Sequence, residues 1–420
     1  MPAFLQITSV VADLTPFAPM PMGGQGGPDR LSRNTHGRLE GNIVALGEGP
    51  GAVVLVSLDT LFAGAALTGR IIEACARRFG VGAERVLVLA SHTHFAPMLD
   101  ASKPGLGRTD AAEVDRWGQA VVDAVMAATS RQAGSVRVGL GRSDCAVNRR
   151  LRWRLPTVLR MLGKIDGDIY MCDNPAGPRD PRIRTCVWLS ESGEALAAFW
   201  SFACHPVAFP EPETASPDYI GIVREGLRRH LGVPSLPVIF APGCMGDIRP
   251  RSPSPWNSLR RVPRLAIYGP SPPPFDRAGW NRWADALAAE VTSIEAAGDT
   301  RPIDSSPGAV PMMRLPLDQI FEGSSPTPEL HGKAIRVPGV GRIIALSCEP
   351  VTAIADLVDA GADDLVLGYE GDVFGYLPTE AMVAEGGYEP WGSLKSFGLR
   401  GAFKPGLDAR VAMFGRALKA

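Results

Sequence analysis

Five short apolar runs constrain this chain most: GAVVLVSL (51–58), RVLVLAS (85–91), LAAFWSFAC (196–204), LPVIFAP (236–242) and RIIALSC (342–348). Each has the length of a strand and is apolar at consecutive positions, the pattern of a strand buried on both faces. Amphipathic stretches of helical length lie between and after them, near 64–79, 112–130, 218–231, 279–297, 350–360 and 406–418. Over 112–130, Val114, Trp117, Val121, Val125 and Met126 recur at spacings of three and four and predict one buried face. Strands alternating with helices predict an α/β fold, a large mixed β-sheet flanked by helices. The Pro- and Gly-rich stretches at 16–28 and 250–274 bring no change of composition. They read as ordered loops, which makes residues 1–420 a single domain.

Lys and Arg number 43 against 44 Asp and Glu, a net charge of −1, so no electrostatic reason for a nucleic-acid or anionic-membrane partner is visible. The one basic run, RRLRWRLPTVLR (149–160), reads as a solvated or substrate-facing patch. No apolar run reaches the roughly 18–20 residues that span a bilayer, so no transmembrane segment is expected. The first residues lack the basic and apolar regions of a secretion signal. The seven cysteines are scattered, odd in number and without a CxxC pair, which suits free thiols in a reducing compartment. A cytoplasmic location is therefore expected. Oligomeric state has no signal in the sequence.

Chemistry concentrates at the ends of the apolar runs. His92 and His94 form HTH directly after RVLVLAS, and residues i and i+2 of a strand share a face. The pair reads either as metal ligands or as two hydrogen-bonded loop histidines. His205 ends LAAFWSFACHP, and Glu349 follows RIIALSC. Alone, His205 is more readily structural than a ligand, whereas a carboxylate directly after a buried strand is an unusual place for a solvated charge. Two histidines and a carboxylate at three strand ends nevertheless form a recurrent catalytic zinc set that leaves one position for water. Of the other histidines, His230 reads as a helix-end surface residue and His331 as part of a polar loop. No phosphate-binding loop, GxGxxG or GxSxG motif is present.

The ordered set ASHTHFAP (90–97), NRR (148–150), FACHP (202–206), SPDYIG (216–221), APGCMGDIRP (241–250), CEP (348–350) and GYLPTEAM with GGYE (375–389) resembles the neutral ceramidase family. The likeness runs from the glycines at 23–27 to GGYE. In that family an immunoglobulin-like domain follows the catalytic domain. Here only residues 389–420 follow Tyr388, so the chain is expected to match the catalytic domain alone. The resemblance implies zinc bound by His92, His205, Glu349 and Tyr376. It places His94, Arg149 and Tyr388 at the scissile amide and the attacking water, and Gly23 or Gly24 along the same site. Asp59, ending VVLVSLD, is a candidate partner for a ligand histidine.

Two departures bear on substrate. Phe95-Ala96 stand where the family has Ser-Gly, and Arg249 in GDIRP stands for a small Ser or Asn. Phe95 would narrow the pocket, and Arg249 would bind a substrate carboxylate or pair with a neighbouring acid. The expected function is zinc-dependent hydrolysis of a small or acylated amide, with a small-molecule amide or N-acyl compound as substrate. Three alternatives stay open: a ceramidase proper, a relative that forms or opens an amide or lactam in specialised metabolism, and a zinc-binding pseudoenzyme.

Overall fold

The computed structural model describes residues 4–17, 19–24, 29–163, 167–252, 254–303 and 305–419. Residues 25–28 of the Gly-rich loop singled out above lie outside the described residues. Two five-stranded mixed sheets form the centre. One runs Val86–Ala90, Val53–Leu58, Glu40–Leu46, Leu5–Asp13, Thr129–Ala133. The other runs Val238–Pro242, Ala195–Phe202, Arg182–Leu189, Ser135–Arg142, Asp299–Pro302. A third sheet, also of five strands, joins Gly308–Ala309, Glu329–Val337, Gly341–Leu346 and Leu365–Leu367, with Met313–Pro316 also paired to Glu329–Val337. The α/β class with mixed sheets is as the sequence predicts, with the strands divided among several sheets instead of one.

Period-2 alternation explains how strands that read as solid apolar runs are buried. In Val53–Leu58, Val53 and Leu55 join an apolar layer between the sheets, which also holds Trp188, Phe199, Ile239, Ile335 and Ile343. Val54, Val56 and Leu58 face the other way, under helices Gly64–Phe79 and Ala111–Ala127. Each fully buried Val or Leu contributes about 1.5–3 kcal/mol. Helices Tyr219–Leu231 and Arg277–Ala296 cover the second sheet around Trp200 and Phe240. The layers are therefore helix, sheet, sheet, helix.

Three differences from the sequence reading have local causes. The helix expected over 112–130 ends at Ala127, because Thr129–Ala133 pairs with the first strand, and Met126 is exposed. The helix expected over 350–360 shrinks to Ile354–Leu357, because Glu349–Pro350 pairs in parallel with Tyr376–Leu377. His331 lies within strand Glu329–Val337, not in a loop.

Three parallel strand pairs position the site: Val53–Leu58 with Val86–Ala90, Ala195–Phe202 with Val238–Pro242, and Gly341–Leu346 with Leu365–Leu367. The chain leaving them supplies His92, His205 and Glu349 within a few residues. All seven cysteines are free. Among the described residues no helix is long and apolar enough to cross a membrane.

Candidate metal centre

The strand Val86–Ala90 ends before the histidines. Ser91 and His92 donate their backbone N–H groups to Leu58 and Thr60, and His92 takes φ +63°. A non-glycine residue in the left-handed region is uncommon and persists only where its surroundings enforce it. The His92 and His94 Nε2 atoms do converge, 3.4 Å apart. A turn brings them together, where the sequence reading expected a strand pleat.

The His92 Nδ1–H donates to the Leu61 carbonyl at 3.1 Å and the His205 Nδ1–H to the Met245 carbonyl at 2.6 Å. A carbonyl has no proton to give, so both rings carry theirs on Nδ1 and present bare Nε2 atoms. Those atoms lie 3.1 Å apart, and Glu349 Oε2 lies 3.2 Å from one and 3.3 Å from the other. Glu349 Oε2 faces the same two atoms, and an ionised carboxylate is likewise a lone-pair donor only. Three buried acceptors facing one another repel unless a cation lies among them. Their spacing suits one, since ligands about 2.0–2.2 Å from a tetrahedral zinc are about 3.3–3.6 Å apart.

Parallel pairing of Glu349 with Tyr376 sets the tyrosine beside the carboxylate. Its hydroxyl is 3.4 Å from His205 Nε2 and accepts a hydrogen bond from Arg149 Nη2 at 3.0 Å. Burial pushes the Tyr376 phenol up and Arg149 pulls it back. The donor set His92, His205, Glu349 and Tyr376 therefore fits a divalent metal such as zinc. His94 is near enough to offer a third imidazole nitrogen. Burial holds its ring well below its usual pKa, hence neutral. Its Nδ1 has no hydrogen-bond partner among the described residues and faces Gly24.

No family model and no curated protein sequence matches the chain. Solved structures do. The neutral ceramidase from Pseudomonas aeruginosa superposes with a TM-score of 0.73 at 15% identity, over 100% of this chain and 74% of that one. A ceramidase complexed with C2 matches with a TM-score of 0.68 at 15% identity, over 100% of this chain and 75% of the other. The fold is neutral-ceramidase-like.

On this ceramidase-like fold the structure brings together His92, His94, His205, Glu349, Tyr376, Arg149 and Tyr388. The Tyr376 and Tyr388 rings are 5.7 Å apart, and Arg149 lies 5.6 Å from each ring centre. Gly24 closes over His94, and its φ of +94° suits glycine. Other expected residues are engaged elsewhere. The Arg249 Nη1 donates to Asp173 at 2.7 Å, so it pairs with a neighbouring acid. Phe95 is 1% exposed, packed 5.4 Å from the Phe209 ring and beneath the Arg30 guanidinium, and does not jut into an opening. Asp59 pairs with Arg224 at 2.8 Å and accepts from the Glu40 N–H. His92 and His205 use backbone carbonyls instead.

Sequence reasoning missed three residues. Tyr369, at φ +60°, packs with its ring 4.4 Å from the His92 ring, tilted by 38°, and donates to Glu349 Oε2 at 3.4 Å. Glu389 accepts from Arg149 Nε at 3.0 Å and from Arg150. Arg30 donates to the Gly23 and His94 carbonyls, and burial lowers its pKa to about 10. Glu389 alone had a visible signal, its place beside GGY.

Proposed function

We propose that this protein is a zinc-dependent hydrolase of an N-acyl amide bond. The observation that carries the reading is the convergence of His92 Nε2, His205 Nε2 and Glu349 Oε2 within 3.1–3.3 Å, every ring proton being engaged at a carbonyl. The ceramidase-like fold supports the reaction class. Zinc bound there supplies a coordinated water of pKa about 7 and polarises the amide carbonyl.

The chain's own residues divide the remaining work. His94 is neutral, beside the ligands, and able to take a proton on Nε2 and return it to the leaving amine. Tyr388 is half-buried and offers a phenolic O–H to the oxyanion that develops on the acyl carbon. Arg149 bonds Tyr376 and Glu389 and so fixes the hydroxyl's position. It also makes the site favourable to negative charge. Since Arg249 is paired and Phe95 is packed away, neither argues against a long acyl chain.

Elemental analysis and a panel of N-acyl amides test this. About one zinc per chain is expected, with metal and hydrolysis both lost in a His92→Ala/His205→Ala variant. A native protein that takes up no divalent metal, or one that holds zinc without cleaving any amide of the panel, overturns the reading.

A further inference from the structure

The neutral net charge conceals a local segregation. Segments 151–163 and 254–268 contain six arginines and no Asp or Glu. They form one face. Short helices Val158–Met161 and Val262–Tyr268 pack together, and Trp153 meets Trp256 edge-on at 5.6 Å. The second segment ends at Gly269, φ +83°, where a side chain would strike the Tyr170 ring. Arg152 and Arg154 have Asp168 and Glu385 nearby. Arg160, Arg260, Arg261 and Arg264 have no carboxylate partner among the described residues.

Large apolar side chains stand out from the same face. Leu259 is 89% exposed, Met161 70% and Leu162 64%, with Leu155, Val262 and Ile267 beside them. Scattered apolar residues on a surface need no explanation, but a cluster of them rimmed by unpaired cations does. The face also adjoins the candidate site. Arg149, on strand Ala146–Arg152, and Trp153, just past its end, are four residues apart, about 14 Å of chain.

We propose that this face docks the protein on an anionic lipid surface, the apolar side chains entering the headgroup boundary and the arginines meeting lipid phosphates and carboxylates. Nucleic acid answers the arginines alone and leaves Leu155, Met161, Leu162 and Leu259 without a role. A second copy answers the apolar side chains alone, because a two-fold contact sets like charges against each other. A lipid surface satisfies both. The docking rests on the surface alone, so it stands or falls apart from the catalytic reading.

Co-sedimentation of the full chain with vesicles tests it, using phosphatidylcholine mixed with phosphatidylserine against phosphatidylcholine alone. The expected result is binding to the mixed vesicles that weakens as salt rises. Arg260→Ser/Arg264→Ser should weaken it about fivefold for each charge removed. Leu259→Asn/Met161→Asn should weaken it with the salt dependence kept. Both pairs are exposed, and unchanged thermal melts and zinc content report intact folding. Three results overturn the proposal: equal or no binding to the two vesicle types, tighter binding to RNA homopolymers than to mixed vesicles, or a dimer that Leu259→Asn/Met161→Asn dissolves without vesicle binding by the parent.

Discussion

Gly24 and His94 show how little room the site leaves. A Cβ on Gly24 would lie 2.3 Å from His94 Nδ1, and its φ of +94° disfavours any other residue. Gly24→Ala should therefore displace the imidazole and lower kcat by a factor on the order of 10²–10⁴, the range for a lost general acid–base. Zinc content should stay near the parent's, which elemental analysis checks. Tyr388→Phe removes one hydroxyl and keeps the ring beside Arg149. It should lower kcat on the order of 10²–10³ at unchanged metal content, the scale of one oxyanion donor, and steady-state kinetics decide it. The cluster of His92, His205 and Glu349 was legible because each follows a buried strand. Tyr376 and Arg149 came only through the resemblance, since their sequence surroundings equally suit a core tyrosine and a surface arginine. Tyr369 and Arg30 were not legible at all. Their roles arise from contacts with residues 20 and 64 positions away.

Strands buried on both faces were read almost to the residue, because continuous apolar runs need no knowledge of their neighbours. Strands such as Leu5–Asp13 and Arg182–Leu189 mix polar and apolar residues, and their partners define them. The same dependence governs the turn Tyr388–Gly392, a π-helical stretch of the kind often found at functional sites. Its Glu389, 2% exposed, holds both Arg149 and Arg150 of strand Ala146–Arg152. Neutralising one buried carboxylate leaves two buried guanidinium groups short of a counter-ion. Glu389→Gln should cost on the order of 3–5 kcal/mol, as for a broken buried ion pair. Urea unfolding measures it, and a loss under about 1 kcal/mol would mean that water already screens the pair.

The sheets must also be held to each other, and apolar packing between them fixes no register. A buried polar cluster supplies it. Lys333, on strand Glu329–Val337, donates to the Val86 carbonyl of the first sheet and to Glu370 Oε1, both at 2.8 Å. Glu370 also bonds His331 and bridges to Leu89. The histidine that reads as a bland loop residue is therefore one corner of this junction, a role that only long-range pairing reveals. Burial works to raise the Glu370 carboxyl, but Lys333 and His331 outweigh it and bring the carboxyl from 4.5 to about 2. The folded value is depressed, so the folded chain binds fewer protons than the unfolded chain between these limits. Its contribution is full above about pH 5 and is lost as pH falls towards 2, with a size on the order of 3 kcal/mol. Other buried carboxylates titrate in the same range, so the acid limb of the parent alone proves nothing. The informative quantity is parent stability minus that of Glu370→Gln, from urea unfolding at each pH. That difference should be largest near neutrality and shrink steadily below pH 5. A difference that stays constant down to pH 3 would mean that Lys333 and His331 do not hold Glu370 ionised, and that the sheets are joined by apolar packing alone.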